Sequence, residues 1–491
     1  MELRSATELL DEVERLRAAV LMKAETIAHS WGGWIERADF APSAENFSHY
    51  LALRGRDIRP LQLELMARGL SSLGRAESRV LPTLDAVAAV LTVLAGKATT
   101  APEPSNAFFS GEERLISRTI ELLGPSSERR PVHFLITAPS EAAESDGFML
   151  RLAELGVEAV RINCAHDDQD AWARMIEGLD GAAKKTGRRM KVLMDLAGPK
   201  IRTGAIRESG GPKRIAVGDE FAIMAPGELG AAGDGLAAIE CTLKEPLAAA
   251  RPGERIFIDD GKVAAEVKRT EAWGVVAEVK TCPKEKGYRL KPEKGINFPD
   301  TGFAVSALTE KDLEDLTFVA HHADGIEFSF VQCVEDIAAL QDALAEMRPD
   351  DWRKLGLVLK IETNRAVANL PDIVVRAAGR QPTAIMIARG DLAVEIGFAR
   401  LAEMQEEILW LGEAAQIPVI WATEVLEHFI KKGVPSRGEM TDAAMSARAE
   451  CVMLNKGPFL FEAIAQLDLL LARMSEHLHK KTPQLRRLAS W

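Results

Sequence analysis

Several short apolar segments of the chain end in charged or hydroxyl-bearing residues. These residues are Arg161 and Asn163, Asp195, Lys360 and Glu362, Arg389 and Asp391, and Thr423. Any one of them could be an ordinary rim residue, but their recurrence at the same end of successive apolar segments is hard to explain by packing alone. We therefore treat them as candidates for one shared site.

Glu362 and Asp391 follow two consecutive apolar segments and offer the hard oxygen ligands that Mg2+ and Mn2+ prefer. The alternative is a carboxylate pair that serves Arg or Lys partners. Lys360 lies two residues before Glu362, so both side chains would leave the same face of a strand. A lysine beside a divalent cation is unfavourable unless an anion neutralises both. The combination of Lys360 with Glu362 and Asp391 therefore predicts binding of a phosphoryl group.

Further basic residues indicate an anionic substrate. Arg161, Arg202 and Lys294 would add positive charge at neighbouring loops of a chain whose net charge is −12. Gly390, in the sequence ARGD, permits close backbone approach, and its N–H could hold a carboxylate. A tight turn from a strand into a helix would explain the same glycine, and the two explanations are compatible.

Eight apolar segments rich in β-branched residues predict the strands that position these groups. They are PVHFLIT, VEAVRIN, KVLMDL, GIEFSF, LVLKIE, AIMIA, PVIWAT and CVMLN. Helical patterns lie between most of them, which indicates an α/β fold with a parallel sheet buried on both faces. A count of eight predicts a closed (β/α)8 TIM barrel, whose active groups lie at the C-terminal ends of the strands.

Two further regions precede or interrupt this barrel. Residues 1–125 carry apolar residues at three- and four-residue spacing and predict an all-helical N-terminal region. Residues 205–296, after the third strand, have a β pattern with a hairpin signal at Asp260-Gly261, and predict an inserted small β-barrel domain acting as a lid. Residues 126–204 and 297–491 would then form the barrel itself.

The composition argues against several classes of protein. Hydrophobic residues make up 47% of the 491 residues, enough for large buried cores. The acidic balance argues against nucleic-acid and membrane surfaces, and no secretory or membrane-spanning segment is recognisable. The five cysteines are scattered without a CxxC pair, so we expect a reduced cytoplasmic protein without a structural zinc site.

In combination, the motifs resemble those of the pyruvate kinase family, in the family's order. KIETNRAVANLPDI resembles the family's Lys-Ile-Glu-Asn segment, and ARGDLAVEIG its Ala-Arg-Gly-Asp-Leu-Gly-Val-Glu. PVIWATEVLEHFIKKGVPSRGEMTD resembles the Thr-Gln-Met-Leu-Glu stretch and the Pro-Thr-Arg-Ala-Glu that follows it, while IFIDDGKV and KGINFP match the inserted domain and its exit. No single motif would suffice, but the combination is specific.

The resemblance implies phosphotransfer from phosphoenolpyruvate to ADP, giving pyruvate and ATP, with Mg2+ or Mn2+ as cofactor. It implies that Lys360 stabilises the transferring phosphoryl group and the enolate, and that Arg161 contacts the phosphate. Glu362 and Asp391 would bind the metal. Thr423 would lie near the carbon that is protonated.

The same resemblance implies two further binding roles. The backbone around Arg389 and Gly390 would hold the substrate carboxylate. His166, Arg202 and Lys294 would serve the nucleotide. A homo-oligomer is expected.

The chain departs from the family at the monovalent-cation site of its potassium-dependent members. The Ser and Thr that bind K+ there are Ala165 and Leu196 here, and the family's glutamate is Lys200. Potassium-independent members resemble this arrangement. We expect the ammonium of Lys200, near Asn163 and Asp195, to replace the potassium charge; a solvated loop lysine is the alternative.

Other departures from the family keep a non-catalytic role open. Ala197, Glu424 and Asn455 stand where the family has Lys, Gln and Ser, and only about 35 residues follow the last predicted strand. We therefore expect the family's C-terminal regulatory domain to be absent. One alternative function is a metal-dependent lyase or aldolase acting on a pyruvate enolate, although the β insertion favours a nucleotide enzyme. The other is a non-catalytic phosphoenolpyruvate-binding paralogue.

Overall fold

The computed structural model describes residues 4–98, 106–207, 214–231, 235–283 and 287–484. Its N-terminal part is helical. The helices are α1 (Ala6–Ser30), α2 (Ala41–Arg54), α3 (Arg59–Met66), α4 (Val80–Leu94) and α5 (Ser110–Leu123). A capping box begins α1, in which the Ser5 side chain accepts from the Glu8 backbone and the Glu8 side chain accepts from the Ser5 backbone.

The first three strands of the barrel alternate with two helices. In chain order they are β1 (His133–Thr137), α6 (Asp146–Glu154), β2 (Ala159–Asn163), α7 (Gln169–Thr186) and β3 (Lys191–Asp195). The strands are apolar and almost wholly buried, as expected where helices cover one face and the barrel interior the other.

A seven-stranded sheet then interrupts the barrel. Its elements are β4 (Thr203–Ile206), β5 (Glu220–Met224), β6 (Ala237–Cys241), α8 (Glu245–Ala249), β7 (Arg255–Ile258), β8 (Val263–Glu271), β9 (Gly274–Thr281) and β10 (Ile296–Asn297). An antiparallel bridge between Arg202 and Gly295 brings the two edges of the sheet together. The hairpin expected at Asp260-Gly261 is confirmed, because β7 and β8 pair antiparallel from Ile258 and Val263 outward.

Five further strands complete the barrel. The elements are α9 (Glu310–His322), β11 (Gly325–Phe328), α10 (Val334–Met347), β12 (Gly356–Ile361), α11 (Asn364–Ala378), β13 (Thr383–Ala388), α12 (Arg389–Ile396), α13 (Phe398–Ala415), β14 (Val419–Ala422), α14 (Glu427–Lys432), α15 (Arg437–Met445), β15 (Cys451–Leu454) and α16 (Leu460–Met474). A short hairpin of β16 (Leu478–His479) and β17 (Thr482–Pro483) follows.

The eight predicted barrel strands are confirmed. They form a closed parallel barrel in the spatial order β1-β15-β14-β13-β12-β11-β3-β2. Each barrel strand lies beside the next barrel strand in the chain. This includes β3 and β11, between which the inserted sheet occurs in the sequence, since these two strands pair with Asp195 opposite Glu327. No helix among the described residues is both long and apolar enough to cross a membrane.

The inserted sheet stands at the C-terminal end of the barrel strands. Asn297 at its exit donates a hydrogen bond of 3.1 Å from Nδ2 to Oε1 of Glu395 on α12. At the tip of the β7–β8 hairpin, a Cβ added to Gly261 would lie 3.8 Å from a methyl group of Val394. Gly261 has a φ of +79°, so its turn favours glycine for conformational reasons as well. The insertion therefore contacts the helix that follows β13.

Arg118 on α5 joins the N-terminal helices to the barrel. Its buried guanidinium donates to the Ser43 hydroxyl at 2.9 Å, to the Asp39 carbonyl at 2.8 Å and to the Gln416 carbonyl at 2.9 Å. Gln416 ends α13 in a left-handed conformation, with a φ of +56°. One arginine thus satisfies backbone carbonyls that the packing of helices on the barrel has removed from water.

We expect Arg118→Met to lower the free energy of unfolding by about 3 kcal/mol, because the Asp39 and Gln416 carbonyls would stay buried without a donor. Urea denaturation followed by circular dichroism measures this loss. Arg15→Met, at an exposed position on α1, is the control and should be nearly neutral. Equal stability of the two variants would show that Arg118 does not hold the helices to the barrel.

Candidate active site

The interior of the barrel changes from apolar to charged along three of its strands. Alternation in a strand places every second residue on the same face. Ala159, Leu193 and Val358 belong to one buried apolar cluster inside the barrel. The next inward positions toward the C-terminal ends are Arg161, Asp195 and Lys360.

Asp195 is the shared partner of two cations in the barrel interior. Lys360 Nζ donates to its two carboxylate oxygens at 3.0 and 3.2 Å, and Arg161 Nε donates to Oδ2 at 3.1 Å. The Ser329 hydroxyl donates to Oδ1 at 3.0 Å and accepts from Lys360 Nζ at 2.6 Å. Although burial acts to raise it, the pKa of Asp195 is held below its ordinary value by Lys360 and Arg161.

Glu362 lies beside this group and is nearly as deeply buried. Its Oε2 accepts a hydrogen bond of 2.6 Å from the Phe330 backbone, and its Oε1 lies 3.4 Å from Lys360 Nζ. Burial raises the pKa of Glu362, and the charge of Asp391 adds to this effect, while Lys360 opposes it. A second cation near Glu362 would therefore be stabilising.

Lys200 supplies a cation to Asp391, the second carboxylate of the predicted metal-binding pair. Its Nζ donates to both oxygens of Asp391, at 2.8 and 3.1 Å. Lys200 lines the same cavity as Asn163 and Asp195, but its ion-pair partner differs from the neighbours that we expected. The physical reason is that Asp195 already binds Lys360 and Arg161, whereas Asp391 is partly exposed in the first turn of α12.

The Arg389 side chain is directed away from the cavity and organises the loop after β14. Its Nε donates to the Ala422 carbonyl at 2.9 Å, its Nη2 to the Thr423 carbonyl, and its Nη1 to Asp442. The neighbouring Gly390 N–H donates to the Thr423 hydroxyl at 2.8 Å. Thr423 has a φ of +62°, which a β-branched residue adopts only where its surroundings hold it.

The residues expected to serve the nucleotide are distributed between the barrel and the insertion. His166 and Arg202 line the cavity together with Lys360 and Glu362. Lys294 instead lies in the insertion, where its Nζ is 3.5 Å from Asp259 Oδ1. The structure thus brings two of the three to one cavity and gives the third a carboxylate partner on the hairpin.

Glu327 and Ser329 belong to the site although neither follows a predicted barrel strand as the other candidates do. Glu327 is fully buried, and its Oε2 accepts from Arg161 Nε at 3.0 Å. Burial, with the charge of Asp195, raises the pKa of Glu327 to about 7. The available signal was an acidic residue inside the apolar run GIEFSF, two positions before Ser329 and so on the same strand face.

The carboxylates fit a divalent cation only if other ligands come from outside the protein. Among the described residues, no group of three or more His, Cys, Asp or Glu side chains is arranged to hold a metal ion. Glu362 and Asp391 line one cavity of about 180 Å3, and the ammonium of Lys200 already occupies a cation position at Asp391. Two carboxylates completed by a bound anion and water suit Mg2+ or Mn2+.

Comparison with known proteins agrees with this architecture. A family model described as the barrel domain of pyruvate kinase matches residues 118–459. The chain is 30% identical over 343 residues to a pyruvate kinase of Mycobacterium tuberculosis, covering 68% of each chain. A pyruvate kinase of Corynebacterium efficiens is 32% identical over 337 residues, covering 67% of this chain and 65% of its own.

A pyruvate kinase from a third organism is also similar. Pyruvate kinase PKLR of Rattus norvegicus is 30% identical over 346 residues, covering 67% of this chain and 57% of its own. The matched family segment includes all eight barrel strands and the inserted sheet. The chain belongs to the pyruvate kinase family.

Proposed function

We propose that this chain transfers the phosphoryl group of phosphoenolpyruvate to ADP, with a divalent cation held by Glu362 and Asp391. The observation that carries the proposal is the anchoring of Lys360 and Arg161 on one buried carboxylate, Asp195, at the base of a cavity. Phosphoryl transfer depends mainly on positioning and charge stabilisation. Lys360 and Arg161 meet that requirement, because their hydrogen bonds to Asp195 hold both side chains in place.

Lys360 is the residue that would stabilise the transferring phosphoryl group and the enolate. Its Nζ has partners in Asp195, Ser329 and Glu362, so its position is defined from three directions. Burial would lower its pKa, but the charges of Asp195 and Glu362 hold the pKa above its ordinary value. Lys360 therefore stays protonated at neutral pH and presents a full positive charge.

The divalent cation, Mg2+ or Mn2+, would neutralise charge that develops on phosphate and enolate oxygens. Glu362 and Asp391 are its proposed ligands. Lys200 now pairs with Asp391 and would share or yield that carboxylate. Arg161 would bind the phosphate through guanidinium N–H groups not directed at Asp195, Glu327 or Thr137.

The remaining roles concern the carboxylate, the proton and the nucleotide. The Gly390 N–H, now paired with the Thr423 hydroxyl, would hold the substrate carboxylate together with the backbone of Arg389. Thr423 would then lie beside the carbon that gains a proton. His166 and Arg202 from the barrel rim and Lys294 from the insertion would contact ADP or ATP, and a homo-oligomer is the proposed assembly.

Lys360→Met should lower kcat by about 10^2- to 10^3-fold, because a preorganised donor to the developing charge is lost. A coupled assay of pyruvate formation from phosphoenolpyruvate, ADP and Mg2+ measures the effect. Lys185→Met, at an exposed position on α7, is the matched control and should retain wild-type turnover. A wild-type rate in the Lys360 variant would contradict the assignment.

Two further measurements separate the alternative functions. Phosphoenolpyruvate binding without turnover by the wild-type chain would identify a non-catalytic paralogue. Consumption of a pyruvate enolate with an aldehyde, independent of ADP, would identify a lyase or aldolase.

Asp391→Asn and Glu362→Gln should each weaken Mn2+ binding by at least about tenfold, because each removes a proposed ligand charge. Electron paramagnetic resonance of free Mn2+ measures this without turnover. Glu395→Gln is the control, since this carboxylate lies on the same helix as Asp391 but accepts from Asn297. Equal Mn2+ affinity in all three variants would place the metal elsewhere.

Turnover should be the same in K+ as in Na+ or choline, because Lys200 would supply the monovalent charge. Ala165 and Leu196 offer no side-chain oxygen for K+, and the Lys200 ammonium lies in the cavity that they line. Initial rates at constant ionic strength test this. Strong stimulation by K+ over the choline control would refute it.

A further inference from the structure

Glu327 is a buried acid that the proposed reaction leaves without a role. It lies on β11 and is fully buried. One carboxylate oxygen, Oε2, accepts from Arg161 Nε at 3.0 Å. The other oxygen, Oε1, has no hydrogen-bond partner among the residues that the structure describes. A buried carboxylate with one unsatisfied oxygen is costly, so its presence needs an explanation.

Arg161 is the residue through which Glu327 meets the substrate. Its Nε is shared between Asp195 and Glu327, its Nη1 donates to the Thr137 hydroxyl at 3.1 Å, and its Nη2 donates to Asp195. The guanidinium also lines the cavity, with 11% of the side chain exposed. A phosphoryl group at Arg161 would therefore compete with two carboxylates for one positive charge.

The charges that face Glu327 come from several neighbouring strands. Arg161 faces it from β2, Asp195 from β3 and Lys360 from β12; Asp195 and Lys360 are buried, and 11% of the Arg161 side chain is exposed. The Cys451 thiol on β15 lies close enough to interact, and burial raises its pKa well above the ordinary value, so it remains uncharged. Two cations thus face Asp195 and Glu327, and Glu362 also lies beside Lys360, so an added phosphoryl dianion leaves an excess of negative charge.

One of the two acids can lose its charge at little cost. Asp195 accepts from Lys360, Arg161 and Ser329, which stabilises its charged form. Among the described residues, Glu327 accepts a single hydrogen bond, and its pKa of about 7 is set by burial and by the charge of Asp195. Additional negative charge at Arg161 would favour the neutral form of Glu327 further.

We infer that Glu327 is a positioning residue that holds Arg161 in the free protein and takes up a proton from solvent when a phosphoryl-bearing substrate binds. The proton goes to Oε1, and the neutral carboxyl leaves the charge of Arg161 to the phosphate. This inference rests on the proposed use of phosphoenolpyruvate. It makes substrate affinity dependent on pH through a residue that does not itself contact substrate.

Isothermal titration calorimetry of phosphoenolpyruvate with Mg2+ and without nucleotide tests the inference. Measurements near pH 7 in two buffers of different ionisation enthalpy give the number of protons taken up. Wild-type protein should take up more protons than Glu327→Gln, by up to about half a proton per site, because an acid with a pKa of about 7 is already half protonated at that pH. Oxalate, which has two carboxylates and no phosphoryl group, should give no difference between the two proteins.

A second readout is the pH dependence of phosphoenolpyruvate affinity. Above pH 7 the Glu327 side chain of the wild-type protein is charged before substrate binds. The affinity of the wild-type protein for phosphoenolpyruvate should therefore fall with rising pH, by up to about tenfold per pH unit more than the affinity of Glu327→Gln. A role confined to folding would not change this slope. Glu327→Met removes the same titrating group and provides the comparison if the amide variant does not fold.

Glu158→Gln is the matched control. Glu158 is another buried barrel acid paired with an arginine, since its Oε2 accepts from Arg130 at 3.1 Å, but it precedes β2 at the opposite end of the barrel. This variant should keep the wild-type proton uptake. Binding with the same proton count in wild type and Glu327→Gln would overturn the inference. No binding to the wild-type protein would overturn the proposed function instead.

Discussion

The buried carboxylate of Asp195 is the constraint on which the candidate site depends. Arg161 and Lys360 project into the barrel interior, where an unpaired cation would be strongly unfavourable. Asp195 lies between them and accepts from both, and Ser329 closes the group by bridging Asp195 and Lys360. The arrangement keeps both cations charged and in place without help from substrate, which is the preorganisation that electrostatic catalysis requires.

Much of the barrel could be predicted because its physical basis is local. Parallel strands covered on both faces must be continuously apolar, and helices must separate them, so eight such segments were recognisable. Alternation also placed Lys360 and Glu362 on one face, and they do line one cavity. The hairpin at Asp260-Gly261 was predictable because its turn has residues with positive φ.

The parts that could not be predicted depend on neighbours distant in the chain. The partner of Lys200 is decided by which carboxylate has a free position, and Asp391 is 191 residues away. Glu327 meets Arg161 because β2 and β11 both flank β3 in the barrel, although 166 residues separate the two side chains in the chain. The direction of the Arg389 side chain depends on the path of the loop after β14. Spacing along the chain contains no information about these cross-strand relations.

The N-terminal helices determine which surfaces of the barrel stay accessible. Trp31 donates to Asp372 on α11, Asn46 donates to the Ala414 carbonyl on α13, and Arg118 holds the residue that ends α13. These contacts cover part of the outer helical layer with residues of the same chain. A second copy of the protein cannot pack against that portion of α11 and α13, so any symmetric assembly must use a different side of the molecule.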